Sequence, residues 1–247
     1  MQRLAVPSQH GAWAFLIVPT VASGLVGSGT LTGWLFAVTW VLAYPASYFL
    51  GRALNFRIRR RTWSRKAKTE LHQAFPWLVF AMIGAVALLL LQPVIVLGAA
   101  PVALIWLISL WLTYHGRERG ILNDLLLVAL ASLAPILMWV ASSGDWEIPT
   151  SQWIVVAVSA LFFTGSVLHV KSLIRESENK RWRIASIVYS LLCIPASAVI
   201  SPWLIPAFAA AAIRAIVVSR NARPGTIGGV EAIISVVMIA CIVLAAS

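Results

Sequence analysis

Apolar residues gather along this chain in nine stretches, at about 11–28, 32–54, 74–91, 95–113, 121–142, 152–173, 183–200, 203–220 and 227–246. Each approaches the roughly 20 mostly apolar residues that a helix needs to cross the hydrocarbon of a bilayer. The polar connections alternate in kind. All 19 Lys and Arg fall in five places: Arg3, residues 52–68, 117–119, 171–183 and 214–223. The connections between these places carry no Lys or Arg. Short loops rich in Lys and Arg stay on the cytoplasmic side. The pattern therefore predicts an all-α fold, a polytopic membrane helix bundle of about nine transmembrane helices. Its N-terminus lies in the cytoplasm and its C-terminus outside, and residues 1–247 form a single integral membrane domain. The first apolar run is longer than the 7–15 residues of a signal-peptide core, and another span follows at once, so it is expected to be retained as a span.

The longest polar segment, about 55–73, carries a hydrophobic residue every few positions (Phe56, Ile58, Trp63, Leu71). It is expected to lie on the membrane surface as a short amphipathic segment. The outer connections are minimal, at Ser28–Leu31, Gln92–Pro93, Ser142–Ser151 and Ser201–Pro202. Prolines 19, 45, 101, 135, 195 and 206 fall within predicted spans, where a missing N–H favours kinks. Many of the 12 Trp sit near span ends as an aromatic belt. Trp40, Trp106, Trp111 and Trp139 are expected deeper, packing helices or lining a lipid-chain cavity.

Composition sharpens the class. Hydrophobic residues make up 60% and charged residues 11% of the chain, against about 25% charged in soluble domains. The net charge of +11 reads as membrane topology and contact with anionic headgroups, so no nucleic-acid partner is expected. Cys193 and Cys241 lie inside apolar runs without metal-ligand spacing and read as small buried hydrophobes.

Ionisable groups within or beside spans mark function by default, and here they gather at the basic end. The first span opens with His10. The second ends with Arg52 and Asn55. The fourth and fifth are joined through His115, Arg117, Glu118 and Asp124. The sixth ends with His169, Lys171, Arg175 and Glu176, the eighth holds Arg214, and the ninth begins near Glu231. On α-helical spacing His169, Ser172 and Glu176 share a face. Arg214 and Glu231 are predicted at similar depth on adjacent antiparallel helices, either as a buried structural pair or as an anion site in which Glu231 orients Arg214. Gly225-Thr226-Ile227-Gly228-Gly229 leads into the last helix as a turn or a backbone anion site. His10, His115 and His169 lie at the same membrane face, but their spacing matches no zinc or haem motif.

The segments Ser8-Gln9-His10-Gly11-Ala12-Trp13, Arg117-Glu118-Arg119-Gly120-Ile121-Leu122-Asn123-Asp124 and Arg223-Pro224-Gly225-Thr226-Ile227-Gly228-Gly229-Val230-Glu231 resemble those of the YwiC-like family of bacterial membrane proteins, over essentially the whole chain. That resemblance implies a bacterial cell (inner) membrane. The span count, the orientation and the polar loops after the second and sixth spans are also similar to the UbiA-type intramembrane prenyltransferases. This second resemblance implies a UbiA-like arrangement and an isoprenoid phosphate or diphosphate handled at the cytoplasmic leaflet. In that superfamily two Asp-rich motifs hold Mg²⁺. Here the first motif reads Asn55-Phe56-Arg57-Ile58-Arg59, and the second region reads Ser172-Leu173-Ile174-Arg175-Glu176, so the sequence does not support a Mg²⁺ site. Arg and Lys grip phosphate directly. The substrate-binding candidates are therefore Arg52, Asn55, Arg117, Lys171, Arg175, Glu176, Arg214 and Glu231, with His10, Glu118, Asp124 and His169 as acid–base candidates. A non-catalytic membrane partner of another protein, and an anion or lipid transporter, are the alternative functions.

Overall fold

The computed structural model describes residues 5–7, 10–117, 120–219, 222 and 224–246. Nine α-helices account for nearly all of them: α1 (His10–Ser23), α2 (Leu31–Arg60), α3 (Arg65–Leu91), α4 (Val96–Tyr114), α5 (Ile121–Ser143), α6 (Thr150–Val170), α7 (Lys180–Ile200), α8 (Ile205–Val217) and α9 (Pro224–Ala246). No strand occurs among the described residues. Seven helical stretches are long and apolar enough to span a membrane. Ala12–Ser28 and Pro202–Val217 are shorter apolar helices. The protein is a multi-pass membrane protein.

Local chemistry sets the helix ends. Thr30 and Ser64 cap α2 and α3, their hydroxyls accepting from the backbone N–H of Gly33 and Ala67, which satisfies donors that the first turn leaves free. Helix α5 stops at Gly144, whose φ of 82° suits a residue without Cβ. Pro149 and Pro202 precede or open helices, where the missing N–H costs nothing. Pro206 belongs to the first turn of α8, so it starts that helix and does not kink it.

Two helices change pitch at an end. After α1 the chain continues as a π-helical turn, Gly24–Ser28, with Gly27 at φ 135°. After α6 a second π-helical turn covers Lys171–Arg175. Segment 55–73 does not form a separate surface helix. Helix α2 runs on to Arg60, Arg61 closes it in the left-handed region, and α3 starts at Arg65. The polar residues continue the two helices because good helix formers (Arg, Lys, Glu) fill both flanks.

Inside lipid, helices gain little from apolar burial and hold together by close packing of small residues. The contacts follow that rule: Ala22, Ala53, Ala67, Ala134, Ala141, Ala207 and Ala215 are nearly inaccessible. One cluster joins α1, α5, α6, α7, α8 and α9 around Val18, Val128, Phe162, Phe163, Phe208, Met238 and Ile242. The other joins α2, α3 and α5 around Phe36, Leu88, Leu137 and Met138. Helix α5 serves both, while α3 and α4 turn apolar side chains such as Leu90 and Leu107 outward. Of the Trp residues expected at depth, Trp111 lies in the last turn of α4 and packs against the His115 ring, tilted by 45°. Trp139 lies in the last turns of α5 and donates to the Glu147 carbonyl. Both sit near helix ends because α4 and α5 stop within a few residues of them.

Candidate functional site

The shortness of α8 places its one cation. The helix ends at Val217, so Arg214 sits in the last turn, 4% exposed. Glu231 lies two turns into α9 and is 8% exposed. The Arg214 guanidinium donates through Nη1 to Glu231 Oε2 and to the hydroxyl of Ser166 on α6, the latter at 3.3 Å. It also faces the Phe162 ring, 5.9 Å from its centroid. His169 lies one turn beyond Ser166, 1% exposed, and neither ring nitrogen has a hydrogen-bond partner. The open carbonyls of α8 are met from α7, where Arg183 donates to the Ile216 and Val218 carbonyls at 2.8 Å each.

A second cluster joins α5 to the π-helical turn after α6. Asp124, in the first turn of α5, accepts from Arg175 Nη1 at 3.2 Å on both carboxylate oxygens and pairs with Lys171 Nζ at 3.5 Å. The Lys171 side chain is buried, 6% exposed, and its ammonium sits 5.4 Å from the Trp182 ring centroid. Arg175 is 43% exposed. The wider π pitch brings these two cations, four residues apart, onto one carboxylate. It also breaks the α-helical spacing on which His169, Ser172 and Glu176 would share a face. Ser172 instead turns back and donates to the His169 carbonyl. Glu176 lines an open depression of about 470 Å³ with Arg175, Ser177, Glu178 and Asn179.

An ion pair at a third interface ties α2 to α3. Arg52 Nη2 meets Glu70 Oε1 at 2.8 Å, and its Nη1 donates to the Tyr48 hydroxyl one turn earlier.

The candidates are thus distributed over three helix interfaces. Lys171, Arg175 and Asp124 come together, as do Arg214, Glu231 and His169, while Arg52 belongs to the α2–α3 hairpin. Each of these cations meets a carboxylate of its own interface. Asn55 lies half-buried near the end of α2, and Arg117 lies exposed in the α4–α5 connection. Helix α1 begins at His10, whose side chain lies outside the described residues, as does Glu118. The glycines at 225–229 fall within the first turns of α9, because Pro224 already starts that helix. Sequence reasoning missed Glu70, Ser166 and Arg183, and a 2.6 Å hydrogen bond from Ser109 on α4 to Asn123 on α5. Among the described residues, no three His, Cys, Asp or Glu side chains come together as a metal-ion cluster.

At the opposite end of the bundle a buried polar cluster carries no charge, with Asp145 and Glu147 outside it in the α5–α6 connection. Ser23 donates to Gln152 Oε1 at 2.8 Å and contacts the Ser28 hydroxyl at 3.1 Å; the Ser142 hydroxyl donates to the Ser28 carbonyl at 2.7 Å. Ser23, Ser28 and Gln152 are all inaccessible.

These features define a class: a polytopic membrane helix bundle with ion pairs between helices at one end and a neutral polar cluster at the other. Within that class the chain belongs to the YwiC-like protein family, whose pattern it matches over residues 6–139. It is similar to the uncharacterized protein YwiC of Bacillus subtilis (strain 168), 28% identical over 214 residues that cover 85% of this chain and 84% of that one. An uncharacterized protein of Haemophilus influenzae is 24% identical over 198 residues, covering 77% of this chain and 76% of that one. No solved structure matches the chain.

Proposed function

We propose that this membrane protein binds the phosphate headgroup of a membrane lipid, an isoprenoid phosphate or diphosphate, at its basic end, with Lys171 and Arg175 as the gripping cations. The observation that carries this reading is the sharing of one Asp124 carboxylate between two cations. Asp124, Lys171 and Arg175 together keep one positive charge, and Arg175 is exposed in a depression that it shares with Glu176 and Glu178. A phosphate bears more charge than a carboxylate and accepts the same forked guanidinium bonds, so it competes with Asp124 for both cations. The end as a whole favours anions. All 19 Lys and Arg belong to it by sequence, against six carboxylates. On the cytoplasmic leaflet of a bacterial inner membrane this surplus also meets anionic lipid.

Binding is better supported than transfer chemistry. Asp124 is held by two cations, and His169 is buried away from the headgroup boundary, so neither is placed to act on a substrate at Arg175. The UbiA-type resemblance enters only as the reason to test isoprenoid phosphates first.

The test is native mass spectrometry of the gently purified protein, followed by titration with a long-chain isoprenyl phosphate in nanodiscs. Arg175→Ala should weaken binding about tenfold, the worth of one charge-assisted contact. Asp124→Asn should bind as tightly as wild type or tighter, because it releases both cations. If both variants bind like wild type, this cluster is not the headgroup site.

A further inference from the structure

The buried face of α6 carries polar residues at intervals along its length, with Val155 and Phe162 buried between them. Gln152, Ser159, Ser166 and His169 are 0%, 1%, 3% and 1% exposed. Spacings of seven, seven and three residues hold them on one side of the helix. Seventeen residues rise about 26 Å, most of the roughly 30 Å hydrocarbon thickness. At the outer end the row joins the Ser23–Ser28–Gln152 cluster. At the basic end Ser166 bonds Arg214, which pairs with Glu231.

A row of serines alone would be helix packing. Here the row contains buried polar atoms without partners, Ser159 Oγ and both nitrogens of His169, and Arg214 Nε on α8 and Glu231 Oε1 on α9 are likewise without one. Packing asks for small side chains and has no use for an unpartnered imidazole or carboxylate oxygen.

We propose that α6 carries a gated proton path across the membrane, with His169 as its proton-exchanging group. An imidazole takes a proton on its bare ring nitrogen and releases one from the other, which leaves the neutral ring in its other tautomer, and rotation of the ring restores the starting state with no other reactant. The charges around it are Arg214 from α8, Glu231 from α9 and Arg183 from α7. Lys171 and Asp124 follow at the π-helical turn. The steps between Gln152, Ser159 and Ser166 span two helical turns each, about 10 Å, well beyond a hydrogen bond. The path therefore conducts only when water enters between them. Phe162 and Phe163, 2% and 1% exposed, close the interval between Ser159 and Ser166. Phe163 stacks on Phe15 of α1 with centroids 4.4 Å apart, so separating α1 from α6 opens the gate.

The test uses the purified full chain in liposomes with a trapped pH dye, driven by a potassium diffusion potential. Phe163→Ala removes the gate and should carry protons faster than protein-free liposomes. In that background His169→Gln, which keeps a polar side chain but does not titrate, should cut the flux by about tenfold or more. Should Phe163→Ala fail to reconstitute, Phe15→Ala removes the other ring of the same stack. Flux no faster than protein-free liposomes, or flux unchanged by His169→Gln, overturns the proposal. Isoprenyl phosphate binding is measured on the same variants and should not change with His169, which separates this outcome from that of the headgroup site.

Discussion

Glu231→Gln is the substitution whose cost the structure fixes best. The amide keeps the shape of the carboxylate and removes only its charge. The Arg214 side chain is 2% exposed and that of Glu231 11%, so solvent cannot replace what is lost. The guanidinium would keep the Ser166 hydroxyl and the face of Phe162, both neutral. At an effective dielectric near 20, two unit charges 4 Å apart interact by about 4 kcal/mol. Removing one member of a buried pair costs about 3–5 kcal/mol overall. Replacing both members, as in Arg214→Met with Glu231→Leu, should recover most of that loss, since a well-packed apolar pair is often neutral or better. The assay is reversible unfolding in mixed micelles with increasing SDS, followed by far-UV circular dichroism, on wild type, both single variants and the double. A single-variant cost below about 1 kcal/mol, the range of an exposed ion pair, would refute the reasoning. So would a double variant no more stable than the singles.

Three further outcomes are expected. Gly84→Ala should destabilise the α2–α3 hairpin by about 1–3 kcal/mol, because its Cβ would lie 2.2 Å from Thr39 Oγ1; Thr39→Ala in the same chain should restore most of the loss in the SDS titration. Arg183→Ala should cost about 1–3 kcal/mol by leaving the Ile216 and Val218 carbonyls without their donor, with faster hydrogen exchange confined to the end of α8 as the readout. With the basic end in the cytoplasm, Asp145→Cys should react with a membrane-impermeant maleimide added outside right-side-out vesicles, and Arg117→Cys only after permeabilisation. The native Cys193 and Cys241 are buried and should stay silent, and the reverse labelling pattern would invert the orientation.

Helix number and type were legible because membrane insertion leaves a coarse signal: long apolar runs parted by charged turns. Depth was legible too. Counting residues from the connecting loop placed Arg214 beside Glu231, and the structure pairs them. What escaped was local pitch. An α-helical wheel carried past Val170 puts Glu176 beneath His169, whereas the π-helical turn swings Lys171 and Arg175 onto Asp124 and sends Glu176 outward. No residue pattern at 171–175 announces that change. Other misses had a usable signal. Arg52 and Glu70 stand ten and eight residues from Thr62, on opposite arms of one hairpin, and opposite charges at matched distances from a turn are candidates for a pair. Asp124 and Lys171 obey the same depth argument from opposite ends of the α5–α6 hairpin.

The three ion-paired interfaces among the described residues are not equivalent mechanically. Arg52–Glu70 and Arg214–Glu231 each join helices already tied by a short connection at the same, basic end, residues 61–64 and 218–223. Breaking either leaves its helices tethered where they part. Asp124 and Lys171 are 47 residues apart, and α5 and α6 are connected only at the far end, through residues 144–149. Their cluster closes the open end of a hairpin, and α5 is the helix that contributes to both packing clusters. An anion that draws Lys171 and Arg175 away from Asp124 would thus release α6 from α5 at the basic end. Just below lie Ser166, His169 and the Phe162–Phe163 interval. On the proposed reading, a headgroup drawn to Arg175 would in this way be connected, through the π-helical turn, to His169 and the other buried polar residues of α6.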